Sequence, residues 1–150
     1  MTKIKIPLEV VEIDKNSYHI FISVVINDIP QDILIDTGAS RTVFGMECIS
    51  GHPVDVDADE IISLGLGSGN IDTLAGVLRN FSIGEHSWEK LNAIFMDFSH
   101  INEMYKRMST KTIAGLIGGD FLFRTKASIN YGKSEITISI PNRKKKNLFW

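Results

Sequence analysis

Five residues, Asp36-Thr37-Gly38-Ala39-Ser40, have the types and spacing for acid–base chemistry. They follow a short apolar run, Ile33-Leu34-Ile35. A buried strand of that kind fixes the backbone, and Gly38 allows a turn that a Cβ would obstruct. A carboxylate delivered there is held by backbone N–H groups and hydroxyls instead of moving freely in solvent. Thr37 and Ser40 supply hydroxyls beside it. A carboxylate held in this way is suited to giving and taking protons. The plain alternative is a loop Asp that caps a turn.

Two further segments bear on that choice. Ala114-Gly115-Leu116-Ile117-Gly118-Gly119-Asp120-Phe121-Leu122 reads as an apolar strand end whose glycines lead into a short helix beginning near Gly119. Glycine beside a strand end lets two backbones approach closely. Between the two motifs, residues 61–77 are two runs around the Gly-rich tip Gly65-Leu66-Gly67-Ser68-Gly69-Asn70, which is a hairpin pattern.

Asp36-Thr37-Gly38, followed by Leu116-Ile117-Gly118, resembles the signature of the aspartic proteases, and of their retropepsin-like, single-domain branch in particular. The resemblance covers about residues 18 to 140 of the chain. It implies a mostly β fold: a closed acid-protease-like β-barrel with a flap hairpin and one or two short helices. It also implies an aspartic endopeptidase without metal or cofactor, acting on extended peptides with apolar side chains near the cut. Asp36 would be general acid and general base. Thr37 would donate its hydroxyl across a dimer axis, and Gly38 would present its N–H to the carboxylate. Ala39 and Ser40 would complete the turn, with Ser40 bonding the outer carboxylate oxygen. Gly118 would permit close packing beneath the turn. Gly67, Ser68, Gly69 and Asn70 would form the flap tip and bond the substrate main chain.

Aspartic proteolysis uses two adjacent carboxylates that share one proton. This chain has a single Asp-Thr-Gly, since Asp72-Thr73-Leu74 lacks the glycine. Half a site per chain implies a homodimer with the two Asp36 carboxylates on a two-fold axis. The shared proton implies an acidic optimum, roughly pH 4 to 6. The rival reading is the same fold serving as a non-catalytic dimerisation or peptide-binding module, because a fold does not fix a function.

Composition sets the remaining bounds. The 150 residues suffice for one domain with its own core, so 1–150 is expected to be a single unit with a basic, apolar tail over 141–150. A net charge of −2 gives no push toward nucleic acid or a membrane surface. The single cysteine, Cys48, forms no internal disulfide and suits a reducing compartment. The start of the sequence shows no signal-peptide pattern, so the expected location is cytoplasmic. Expected partners are a peptide or protein substrate and a second copy of the chain.

The elements that must position Asp36 are mostly strands. Residues 18–26 and 31–35 are expected to pair through Asn27-Asp28-Ile29-Pro30. Residues 77–83 pair with 91–95 around Gly84-Glu85-His86-Ser87, and 126–131 with 135–140 around Gly132-Lys133-Ser134. Short strands with regular turns suggest a closed barrel. One helix is expected after an N-cap at Ser99, with Ile101, Met104, Tyr105 and Met108 on its apolar face. Residues 46–59 read as a solvated loop, the methionines as core filler, and Asp120 as a helix N-terminal charge held by backbone N–H groups. The Gly-rich tip lacks the Lys-Ser/Thr of a phosphate loop, and no metal-ligand spacing occurs.

Overall fold

The computed structural model describes residues 1–49 and 73–142. The expected flap tip (67–70), the loop from 50 onward and the tail beyond 142 lie outside the described residues.

The chain opens with two strands that were not among those expected, β1 (Thr2–Pro7) and β2 (Glu9–Asp14). Their period-two pattern is short: only Ile6 in β1 and Ile13 in β2 are buried. Next come β3 (Ser17–Ile26) and β4 (Ile29–Ile35), joined at Asn27-Asp28. Both turn residues have positive φ, 49° and 65°, the geometry that suits a two-residue hairpin between twisted strands. A three-residue strand, β5 (Val43–Gly45), follows the Asp36 segment and runs into a 3-10 turn at Met46–Ile49. β6 (Leu74–Ile83) and β7 (His86–Met96) form a long hairpin. Its turn is tighter than expected, at Gly84-Glu85 with Gly84 at φ 56°. Leu74 to Val77, the end of the expected flap hairpin, form the start of β6.

Helix α1 (Ser99–Met108) leads to β8 (Ile113–Ile117), α2 (Gly119–Arg124), β9 (Ser128–Asn130) and β10 (Glu135–Ile140). β9 is shorter than the expected 126–131 because Lys126 adopts a left-handed conformation, φ 49°, as the chain leaves α2.

Seven strands form one sheet in the order β2-β3-β4-β8-β5-β7-β6. β3 also pairs with β6 through Val25↔Ser82 and Ile26↔Phe81, so the six strands from β3 to β6 close into a barrel. The expected mostly β, closed-barrel fold is what the chain adopts. β1, β10 and β9 make a separate three-stranded sheet. Its Ile6, Ile136, Ile138 and Ile140 join the barrel core.

The barrel strands bury both faces. Ile22, Val24, Ile33, Ile35, Phe44, Leu78 and Phe95 point inward. Phe21, Val43, Ile94 and Ile113 point the other way, into a second cluster with Ile13, Phe98 and Tyr105. Helix α1 supplies Tyr105 and Ile101 to that outer cluster. Met104 and Met108 are exposed, which corrects their expected place in the core. The helix face is narrower than the spacing suggests because it covers only one row of outward side chains.

Lys111, between α1 and β8, bonds the carboxylates of Glu9 on β2 and Asp32 on β4. Its ammonium lies 5.6 Å from the centre of the Phe21 ring. Burial works against that charge, but the bonds to Glu9 and Asp32 outweigh it and hold the ammonium above its usual pKa.

The N-terminus of α1 also differs from expectation. Phe98, not Ser99, holds the N-cap position, and the Asp97 Oδ1 accepts the Ser99 N–H at 2.8 Å. That bond holds the Asp97 carboxyl below the usual carboxylate range. A depressed pKa stabilises the fold fully above the ordinary aspartate value and loses its effect as pH falls through the folded value. Asp97→Ala should therefore lower the melting temperature at pH 7, and the gap should close as the pH falls below about 3. An equal gap at every pH would refute the carboxylate's part in capping.

Candidate active site

β4 and β5 both pair with β8, β4 parallel to it and β5 antiparallel. The chain between them, Asp36 to Thr42, must therefore cross over the C-terminal end of β8. This crossing places Asp36.

The Asp36 N–H donates to the Ile117 carbonyl at 2.9 Å, continuing the β4–β8 ladder by one residue. The Ala39 N–H then donates to the Asp36 carbonyl at 3.2 Å, which closes the turn. The Gly38 N–H donates to the Asp36 Oδ1 at 3.0 Å. Asp36 is partly exposed, and no salt bridge reaches it among the described residues.

Thr37 is exposed and its hydroxyl has no partner among the described residues. The Ser40 hydroxyl makes no bond to Asp36, contrary to its expected role. Its main-chain carbonyl instead accepts the Asp120 N–H at 3.2 Å. Ala39 serves in the same way: its carbonyl accepts the Gly119 N–H at 2.7 Å. Two orphan donors at the start of α2 are thus satisfied by the turn that carries Asp36.

Gly118 lies directly under the crossing. A Cβ there would meet the Arg41 carbonyl oxygen at 2.6 Å and the Ala39 carbonyl oxygen at 2.8 Å. Gly115 is as tightly placed, since a Cβ on it would run into the Val43 carbonyl oxygen.

Thr42 is the residue that sequence reasoning misses. It is buried, and its hydroxyl donates to Asp120 Oδ1 at 2.7 Å while accepting the Gly118 N–H at 3.1 Å. Its own N–H reaches the same Asp120 oxygen at 2.8 Å, and the Phe121 N–H adds a third bond at 2.8 Å. Asp120 is therefore more than a charge at the start of α2, because it fastens the far side of the Asp36 turn to the helix. Asp120→Ala would leave the buried Thr42 N–H and hydroxyl without this acceptor. A cost of about 2–4 kcal/mol in chemical denaturation is expected, with Asp120→Asn recovering most of it. A loss below about 1 kcal/mol for Asp120→Ala would show that the clasp carries little of the stability.

Tyr105 approaches the same region from α1. Its hydroxyl lies 2.8 Å from His19 Nδ1, and the two rings meet edge to face at 5.7 Å. Burial pushes the Tyr105 phenol up to about 12, and the charge of Asp36 adds to the shift.

A carboxylate at a barrel-strand end is thus pinned by a glycine turn and braced from below by a second glycine and a Thr–Asp clasp. The chain belongs to the aspartyl protease family, whose model matches residues 22–121. Among solved structures it is similar to a retropepsin-like aspartic protease from Rickettsia conorii, at 17% identity and a TM-score of 0.51, covering 91% of this chain and 90% of that one. It is also similar to the retroviral protease-like domain of Ddi1 from Leishmania major, at 14% identity and a TM-score of 0.53, covering 83% of this chain and 96% of that one. At such identities the likeness concerns the fold, which is retropepsin-like. No curated protein matches the chain. Among the described residues, no helix is long and apolar enough to cross a membrane.

Proposed function

We propose that the chain is an aspartic endopeptidase whose active site forms between two copies, each contributing Asp36. The observation that carries this reading is the placement of Asp36. Its carboxylate is partly exposed, its backbone is locked to β8, and one of its oxygens takes a main-chain N–H. Membership of the aspartyl protease family supports the same chemistry.

In the proposed reaction the two Asp36 carboxyl groups lie side by side with one proton between them. The ionised one takes a proton from a water molecule, and the protonated one donates to the oxygen of the scissile carbonyl. The water oxygen attacks the carbonyl carbon. Collapse of the tetrahedral intermediate returns a proton to the departing amine. Gly38 holds Asp36 in place, and Thr37 is free to bond across the two-fold axis. The rigid support under the turn keeps the two carboxylates in register, as precise placement of reacting groups requires.

A diverse peptide library incubated with the wild type and with Asp36→Asn, from acidic to neutral pH, tests this reading. Cuts made only by the wild type, most rapidly at acidic pH, are expected. Solution mass under the same conditions is expected to be that of a dimer. A monomer with no cuts would favour the peptide-binding module instead.

A further inference from the structure

The His19–Tyr105 pair lies within range of the Asp36 charge and has no part in the reaction as proposed above. Its position follows from the β3–β4 register. Phe21 pairs with Leu34 and Ile22 with Ile33. Continuing that antiparallel register by two residues sets His19 opposite Asp36. Side chains two apart share a face of a strand. His19 therefore lies on the face of Phe21, and Asp36 on the face of Leu34. Phe21 and Leu34 both belong to the outer cluster that Tyr105 completes. The influence of the Asp36 charge on the Tyr105 phenol agrees with that placement.

The hydrogen bond fixes the orientation of the imidazole. Tyr105 is 1% exposed, so its O–H needs a protein acceptor. Among the described residues the only one is His19 Nδ1, at 2.8 Å. A phenol that donates to Nδ1 leaves the ring proton on Nε2. The edge-to-face contact with Tyr105 restrains the ring plane. Nε2 then points away from Tyr105 as a hydrogen-bond donor. It has no partner among the described residues, and His19 is partly exposed.

We propose that His19, held by Tyr105, is a specificity-determining residue that donates from Nε2 to an acceptor side chain, a carboxylate or carboxamide, next to the scissile bond of a bound peptide. This rests on the peptidase reading for its substrate class. Tyr105 acts through His19 and is a positioning residue.

The test uses the full chain and two readouts. The first is cleavage of paired peptides that differ only in carrying Glu, Gln or an isosteric apolar residue beside the cut. His19→Ala should lower kcat/KM for the Glu and Gln peptides about tenfold more than for the apolar ones, chiefly through KM. His19→Gln, whose amide reaches the Nε2 position, should restore most of the preference. Tyr105→Phe keeps the packed ring and should reduce the preference a few-fold. The second readout is binding of the same fluorescent peptides to Asp36→Asn, with and without His19→Ala.

An equal effect of His19→Ala on all peptides, or no binding preference for an acceptor in Asp36→Asn, would overturn the proposal. If the wild type cuts nothing but the preference appears in binding and vanishes with His19→Ala, the peptidase reading fails and the role of His19 stands.

Discussion

Asp36→Asn should abolish peptide cleavage, by about a thousandfold or more, while the protein stays folded. An amide neither takes a proton from water nor gives one to a carbonyl oxygen. The fold should hold because the only side-chain bond of Asp36 among the described residues is the Gly38 N–H on Oδ1. An asparagine carbonyl oxygen accepts that bond as well. The main-chain bond from Asp36 N–H to Ile117 is unaffected by the change. Thermal unfolding of the two proteins should differ by less than about 1 kcal/mol. Cleavage by the variant at close to the wild-type rate would remove Asp36 from the reaction.

The second large effect concerns stability. Gly118→Ala inserts a methyl group 2.6 Å from the Arg41 carbonyl oxygen and 2.7 Å from the Arg41 carbonyl carbon. These are main-chain atoms of the crossing, so no side-chain rotation relieves the contact. Either the crossing lifts from β8 or the strand end shifts, and a loss of about 3 kcal/mol or more is expected. Gly119→Ala is the control. Its Cβ would stand 3.5 Å from the Ala39 carbonyl oxygen, an ordinary contact, and should cost under about 1 kcal/mol. Chemical denaturation of the pair measures the difference. Similar values for the two variants would mean that the packing beneath the turn is looser than these distances require.

A glycine and a carboxylate made the centre of the candidate site legible. Gly118 stands where another backbone comes close, and residue type alone reports that need. At Gly38 a Cβ would meet only the Asp36 carboxylate, at 3.3 Å, so the turn itself does not demand glycine. The barrel was legible for a similar reason, since β3, β4 and the β6–β7 hairpin have strand composition and recognisable turns. Thr42 gave no such signal. It is an ordinary threonine after Ser40-Arg41, and its importance comes only from Asp120, far away in sequence. β1 and β2 were missed although Lys3-Ile4-Lys5-Ile6 alternates as a half-buried strand does; the alternation is short, and the distant partner of β1, β10, lies at the other end of the chain. The width of the α1 face was misread because spacing along a helix does not reveal how much of the face its neighbour covers. The bond between His19 and Tyr105 likewise joins two segments whose meeting no local pattern announces.

The clasp between Thr42 and Asp120 spans 78 residues of chain. Contacts between distant segments form only after the intervening chain has closed its loop, so they come late in folding. A growing polypeptide carries Asp36-Thr37-Gly38 long before it carries β8 and α2. Until Ile117, Gly118 and Asp120 have left the ribosome, the carboxylate has neither its ladder partner nor the brace beneath it. Synthesis order thus separates the birth of the motif from the birth of its geometry: a nascent chain, or one broken off before residue 120, bears the aspartate without the means to aim it.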